Sequence, residues 1–244
     1  MTAKESPECR IGTSGYQYDH WQPVFYPPQM PRRKWFDYYA RQFDTVEINN
    51  TFYRLPDAGT FDRWRDQAPP GFRYALKFSR YGTHMKKLKD PEASLEAFLE
   101  RAERLKAFIG PVLVQLPPHW GADPGRLDAF LDAAPRRRRW TVEFREPDWL
   151  CEDIYRVLRE HDAALCIHDM LEDHPRLLTA PWTYLRFHGD HYAGAYSHQA
   201  LTAWAHWIER RLGEGVDVYA YFNNDDQGHA VRNAGDLRRY VLGE

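Results

Sequence analysis

Val46-Glu47-Ile48-Asn49 alternates apolar and polar side chains with the two-residue period of a β-strand. If Val46 and Ile48 face a layer of helices, Glu47 and Asn49 point the other way. The same parity recurs along the chain. Leu76 and Phe78 flank Lys77, Val114 and Leu116 flank Gln115, and Val142 and Phe144 flank Glu143, with Arg145 next in phase. In three later segments the inward set is Cys166 and His168, then Tyr184, Arg186 and His188, then Tyr219, Tyr221 and Asn223. The inside of such a closed sheet holds ionisable groups where packed Val, Ile and Leu are the default. Burying them without a task costs stability, which is the strongest sequence argument for an enzyme.

Eight strand-like segments are expected, ending near Thr13, Asn49, Ser79, Leu116, Arg145, His168, His188 and Asn223. Helical patterns over 31–43, 59–67, 91–108, 124–134, 152–161, 198–212 and 227–242 alternate with them. The helix from His198 is the clearest, because Leu201, Trp204, Ala205, Ile208 and Leu212 share one face. Pro175 and Pro181 break the stretch after His168, which reads as a long connection. Eight βα-like units in 244 residues fit a single TIM-like (β/α)8 parallel barrel spanning 1–244, with its core about 9–243. An open dinucleotide-binding sheet fits less well, since Gly12-Thr13-Ser14-Gly15-Tyr16 lacks the G-x-G-x-x-G spacing.

Composition narrows the partners. A formal charge of −2 argues against a DNA-coating protein, although a local basic groove for nucleic acid stays open. Arg136-Arg137-Arg138-Arg139 precedes the fifth strand and so belongs at the bottom of the barrel, as a solvated rim. Lys86, Lys87 and Lys89 on the third loop are placed to steer an acidic substrate or simply to aid solubility. Cys9, Cys151 and Cys166 fit neither a disulfide framework nor a zinc knuckle. Met1 to Glu8 carries no apolar signal core, and no run approaches the roughly 20 apolar residues of a membrane span. A soluble cytoplasmic protein without a membrane partner is expected.

Barrel active sites lie at the C-terminal ends of the strands, where the inward polar residues converge. The candidate catalytic residues are Glu47, Glu143, His168 and His188. The candidate substrate-binding residues are Asn49, Lys77, Gln115, Arg145, Arg186, Tyr221, Asn223 and Tyr16. Two carboxylates among cations suggest general acid/base chemistry, the arginines and Lys77 holding an anionic group and a histidine moving a proton. Each residue also has a structural reading: Glu47 and Lys77 neutralise one another, and Gln115 only braces Glu143.

The loops add further readings. The segments 188–194 and 223–228, after strands seven and eight, resemble the common barrel phosphate site, although Asp225 and Asp226 oppose an anion and suit a helix cap. Tyr16, Tyr18, Trp21, Phe25 and Tyr26 offer faces for a sugar or base, or pack as a satellite core, and Trp149 carries the same ambiguity. No cofactor is expected. A divalent metal is conceivable on Glu143, His168, Asp169 and His188, though no H-E-x-x-H or cysteine pair supports it. The leading reading is an enzyme acting on a small polar, anionic molecule such as a sugar phosphate. The alternatives are a metal-dependent enzyme on phosphodiesters or sugars, and a non-catalytic module that captures an anion or nucleic acid.

Ordered motifs then become recognisable: Gly12-Thr13-Ser14-Gly15-Tyr16, Val46 to Arg54, Gln115-Leu116-Pro117-Pro118, Glu143-Phe144-Arg145, Arg186-Phe187-His188-Gly189 and Tyr221-Phe222-Asn223-Asn224-Asp225. From about Ile11 to the C-terminus the chain resembles the domain of unknown function 72 family, the YecE-like proteins. The resemblance implies a TIM-like barrel without an attached domain, and no settled reaction. The family's usual Trp in the first motif is Tyr16 here, which keeps an aromatic face.

Overall fold

The computed structural model describes residues 6–189 and 194–243. Eight strands, β1 (Cys9–Thr13), β2 (Thr45–Ile48), β3 (Arg73–Lys77), β4 (Ile109–Gln115), β5 (Trp140–Glu143), β6 (Ala164–His168), β7 (Trp182–Phe187) and β8 (Asp217–Phe222), form one parallel sheet. Its neighbours run β1-β8-β7-β6-β5-β4-β3-β2. The ends of that order meet where Ser14 bridges Glu47 and the Gly15 N–H donates to the Glu47 carbonyl at 2.8 Å. Gly12 permits the seam, since a Cβ there would sit 2.5 Å from the Thr45 carbonyl oxygen. The sheet is thus a nearly closed (β/α)8 barrel, as the strand arithmetic required.

Around it lie α1 (Trp35–Tyr39), α2 (Asn50–Tyr53), α3 (Ala58–Gln67), α4 (Glu92–Ala102), α5 (Pro124–Ala133), α6 (Glu152–Glu160), α7 (His198–Gly213) and α8 (His229–Leu242). Local chemistry sets several starts. Asp57, Asp123 and Ser197 accept hydrogen bonds from the backbone N–H of Thr60, Arg126 and Ala200, capping α3, α5 and α7. The helix expected over 31–43 is shorter, because a 3-10 turn at Arg32–Lys34 leads into α1, which buries Trp35, Phe36 and Tyr39 within five residues. The pattern over 91–108 breaks into α4 and a 3-10 segment kinked at Lys106, whose φ is 53°. Two short turns were not legible as periodicity: α2, and a π-helical turn at Tyr81–Met85. The connection from β6 to β7 holds no helix, as its prolines indicated.

Side-chain parity divides the sheet into two cores. Val46, Ile48, Leu76, Val112, Val114, Leu116, Val142 and Phe144 face the helices in one continuous apolar layer. Burying such side chains contributes about 1.5–3 kcal/mol each, which is what lets the barrel interior carry charge. Inside, Ala75, Leu113, Ala164, Cys166, Trp182, Tyr184, Tyr219 and Tyr221 form a second, smaller cluster. The bottom is closed by ions: Arg139 donates to Asp217 at 2.5 Å and to the Tyr219 hydroxyl at 3.0 Å. Arg137 pairs with Glu103 and Arg136 donates to the Glu160 carbonyl, so the basic run is a paired rim away from the mouth. The three cysteines are free, and no helix among the described residues is long and apolar enough to cross a membrane.

Candidate active site

Arg186, one of the largest fully buried side chains, organises the barrel top from β7. Its Nε and Nη2 donate to Glu47 Oε2 and Oε1 at 3.0 and 2.9 Å, a two-pronged grip that matches carboxylate geometry. Its Nη1 donates to Glu143 Oε2 at 2.6 Å, so one guanidinium joins β2 to β5 across the barrel. Glu47 is saturated: Ser14 Oγ donates to Oε1 and the Tyr184 hydroxyl to Oε2 at 2.7 Å. Burial alone would raise the Glu47 pKa, but Arg186 and these hydroxyls outweigh it and hold the carboxyl below its usual range. Glu143, also fully buried, is held well below that range by Arg186 and Arg145 against the same burial. Arg145 Nη2 lies 2.5 Å from Glu143 Oε1, off the line of a hydrogen bond, so Oε1 keeps unused acceptor capacity. The sequence pairing of Glu47 with Lys77 is therefore replaced by a Glu47-Arg186-Glu143 bridge.

Lys77 stands at the C-terminal end of β3, 7% exposed, with its Nζ 4.3 Å from the centre of the Phe52 ring. Burial first, and then the charges of Arg186 and Arg145, destabilise its ammonium against the pull of Glu143 and Glu47, lowering its pKa to about 8. It opens on a cavity of about 820 Å³ shared with Arg80, Arg145 and Arg186, and with Asn49, Gln115 and Asn223. Tyr18, Asn50, Phe52, Tyr53 and His84 complete the wall, which among the described residues contains no carboxylate. Asn49 donates to Ser14 Oγ at 2.6 Å while its buried Oδ1 has no hydrogen-bond partner among the described residues. Burial, Lys77, Arg80 and Arg145 lower the His84 pKa to about 4, which keeps the ring neutral at physiological pH. Arg80, His84, Phe52 and Tyr53 escaped the strand parity because they sit in the short turns beyond β2 and β3. The run of polar and aromatic residues directly after Asn49 and Ser79 was the available signal.

Both histidines are held by hydrogen bonds at each ring nitrogen. His168 Nε2 donates to the Phe144 carbonyl at 2.8 Å and its Nδ1 accepts from the Met170 N–H at 3.1 Å, so both nitrogens are engaged. Burial pushes its pKa down to about 3. His188 donates from Nδ1 to Asp169 at 3.0 Å and accepts from Arg186 Nη1 at 3.3 Å, Asp169 fixing the tautomer. Burial lowers its pKa although Asp169 pulls the other way. The four metal donors considered from sequence are thus bonded within the protein. Among the described residues no group of three or more His, Cys, Asp or Glu is placed to hold a metal ion.

Three aromatic expectations resolve differently. Tyr221 lies in the inner core, its hydroxyl 2.6 Å from Thr45 Oγ1 and away from the cavity wall. Tyr16 packs against Phe36 and Tyr39 in the outer core, while Tyr26 stacks on Trp35 at 4.7 Å. Trp149 stacks on Phe144 at 5.0 Å. The first loop is therefore mainly a satellite core, with Tyr18 its contribution to the cavity. Of the two loops proposed for phosphate, 190–193 lie outside the described residues. The other is tied to the first loop: Trp21 Nε1 donates to Asp225 at 2.6 Å, and a Cβ on Gly228 would meet Val24 at 2.6 Å. Asp225 makes no cap for α8, whose N-cap residue is Gly228.

Comparison with known proteins agrees with this architecture. A solved structure of a DUF72 family protein from Thermotoga maritima superposes with a TM-score of 0.86 at 27% identity, covering 97% of this chain and all of that one. The UPF0759 protein YecE of Escherichia coli is 34% identical over 135 residues, a match spanning 51% of this chain and about half, 49%, of that relative. The UPF0759 protein YunF of Bacillus subtilis is 24% identical over 270 aligned positions and covers 91% of both chains. With the family model described as protein of unknown function DUF72 matching residues 10–243, the chain belongs to the DUF72 family.

Proposed function

We propose that this protein is an enzyme whose substrate is a small anionic molecule, phosphorylated or carboxylated, bound at the C-terminal mouth of the barrel. One observation carries the reading: Lys77, Arg80, Arg145 and Arg186 line a single cavity whose wall, among the described residues, holds no carboxylate. Glu47 and Glu143 lie behind that wall and pair with Arg186 and Arg145, and among the described residues neither Lys77 nor Arg80 forms an ion pair. A pocket of this size suits a small metabolite, and a low-dielectric wall strengthens its grip on an anion. The carboxylates act as fixed counter-ions that aim the guanidiniums, a preorganisation that costs no rearrangement when substrate arrives. Proton transfer near neutral pH falls to Lys77, which exchanges a proton near pH 8, with the neutral His84 beside it.

Thermal-shift and calorimetric titrations test this. Inorganic phosphate, glycerol 3-phosphate and citrate are expected to stabilise the protein, weakly at high salt and not in Arg145→Gln, while neutral sugars are silent. Binding of neutral sugars with no response to anions overturns the reading. A single-stranded oligonucleotide that binds far more tightly than any phosphate monoester would instead favour a nucleic-acid module.

A further inference from the structure

Among the described residues the wall of the cavity contains one primary amine, and its surroundings are those of a nucleophile. Lys77 projects from the end of β3, a rigid element, into the space shared with Arg80, Arg145 and Arg186. Among the described residues no carboxylate lies within ion-pair distance of its Nζ, although Lys77 is almost wholly buried. Instead Nζ rests over the Phe52 ring. A lysine placed only to bind an anion does so best as a solvated or carboxylate-braced ammonium. One that is desolvated, set among guanidiniums and left without a counter-ion is activated as a free amine.

Resting on the anion-site reading above, we infer that Lys77 forms a Schiff base with a small carbonyl compound bearing an acidic group, an oxo acid or a keto phosphate. The guanidiniums of Arg80 and Arg145 hold the carboxylate or phosphate and leave the carbonyl to Lys77. The Nζ lone pair attacks the carbonyl carbon, an N–C bond forms, and the π pair moves to oxygen. One amine proton passes to that oxygen to give the carbinolamine; the second amine proton is then transferred to the hydroxyl, the C–O bond breaks with loss of water, and the nitrogen lone pair closes the C=N bond. No oxidant or reductant enters. His84 lines the same cavity and bonds Thr83 through Nδ1 at 2.9 Å, leaving Nε2 to relay the proton. The resulting imine nitrogen, once protonated, is an electron sink for bond cleavage or proton abstraction next to the former carbonyl. The lowered pKa of Lys77, about 8, supports the assignment by giving an appreciable free-amine fraction near neutrality.

The experiment is reductive trapping. Purified protein at pH 8 is mixed with pyruvate, glyoxylate or dihydroxyacetone phosphate and reduced with cyanoborohydride, and the adduct is located by peptide mass mapping. One adduct per chain is expected on Lys77, with Lys34, Lys86, Lys87, Lys89 and Lys106 unmodified, and none in Lys77→Arg. Preference for the oxo acids or for the phosphate distinguishes the two acidic groups. Labelling spread over surface lysines, or none on Lys77, overturns the imine. If oxalate and glycerol 3-phosphate still stabilise the wild type in that case, the anion site stands without it; if they do not, both fall. An independent check needs no substrate: modification of Lys77 by trinitrobenzenesulfonate should show a pH midpoint near 8, and a midpoint near the ordinary 10.5 contradicts the inference.

Discussion

Replacing Lys77 by Met should make the protein more stable at neutral pH, and the size of the gain follows from the position of the amine. In the fold its pKa is about 8, against 10.5 for an unperturbed lysine. Between those values the unfolded chain binds the extra proton, so the wild type gains stability as pH rises across that window. Below pH 8 the folded state carries the whole penalty, roughly 3 kcal/mol for a gap of this width. At pH 9 about 2 kcal/mol of it remains, so the advantage of the variant shrinks by about 1 kcal/mol between pH 7 and 9. Methionine matches the length of the lysine stem and can rest on Phe52 without a charge to desolvate. Urea unfolding of both proteins at pH 7, 8 and 9, followed by tryptophan fluorescence and circular dichroism, gives the difference directly. The slope with pH is the decisive quantity, because packing changes shift all three points together. A variant less stable at pH 7, or a difference that does not change with pH, refutes the placement of a desolvated ammonium at the mouth.

Arg186→Met leaves Glu47 and Glu143 without their common cation and is expected to cost about 3–5 kcal/mol at pH 7, less at pH 5 where the stranded carboxyls can take up protons. Melting temperatures at the two pH values check this, and a wild-type melt contradicts it. In the wild type both carboxyls sit below the ordinary 4.5 in the fold, so their contribution is full above that pH and is lost as pH falls beneath it. Acid titration of stability should therefore be shallower in Glu47→Gln than in the wild type. Tyr221→Phe removes one buried hydrogen bond to Thr45 and is expected to lower stability by about 1 kcal/mol while leaving phosphate titrations unchanged. Altered phosphate affinity would return Tyr221 to the site. Prolonged EDTA treatment should leave the melting temperature unchanged, since Glu143, His168, Asp169 and His188 are each bonded to protein groups. A drop that Mn²⁺ or Zn²⁺ restores would show those donors regrouped around a metal.

Strand parity alone located Glu47, Lys77, Glu143 and Arg186, because a two-residue period assigns every second side chain to the interior wherever the intervening ones are apolar. Parity fixes the face of the sheet but not the height along it. Tyr221 and Arg186 are register partners on β8 and β7, yet the tyrosine bonds Thr45 within the inner core while the guanidinium reaches the carboxylates and the cavity. Partner choice was also hidden. That Glu47 is gripped by Arg186 rather than Lys77 depends on side-chain reach and on the tilt of strands in a closed barrel. His168 looked like a proton carrier because its residue type allows it; only the carbonyl of Phe144 and the N–H of Met170, both backbone groups, show it to be occupied. Arg80 and His84 lay beyond the strand, at the N-cap and within a π-helical turn whose length is below what periodicity can reveal.

The distribution of charge also explains why this interior is ionic at all. A plug of packed apolar side chains in place of Glu47, Arg186 and Glu143 would in general be as stable or more so, since desolvating three ions offsets most of their mutual attraction. What the bridge provides is direction. With two carboxylates behind it, Arg186 is pinned and Arg145 is drawn towards Glu143, so the cationic faces of both border the same space as Lys77. Removing the carboxylates would leave the guanidiniums to splay apart by mutual repulsion. Removing the guanidiniums would let Glu47 and Glu143 stabilise the Lys77 ammonium and return its proton affinity towards that of an ordinary lysine. The depressed basicity of Lys77 thus depends on the Glu47-Arg186-Glu143 bridge as much as on burial. It follows that Arg186→Met should raise the pH midpoint of Lys77 labelling even where the variant remains folded.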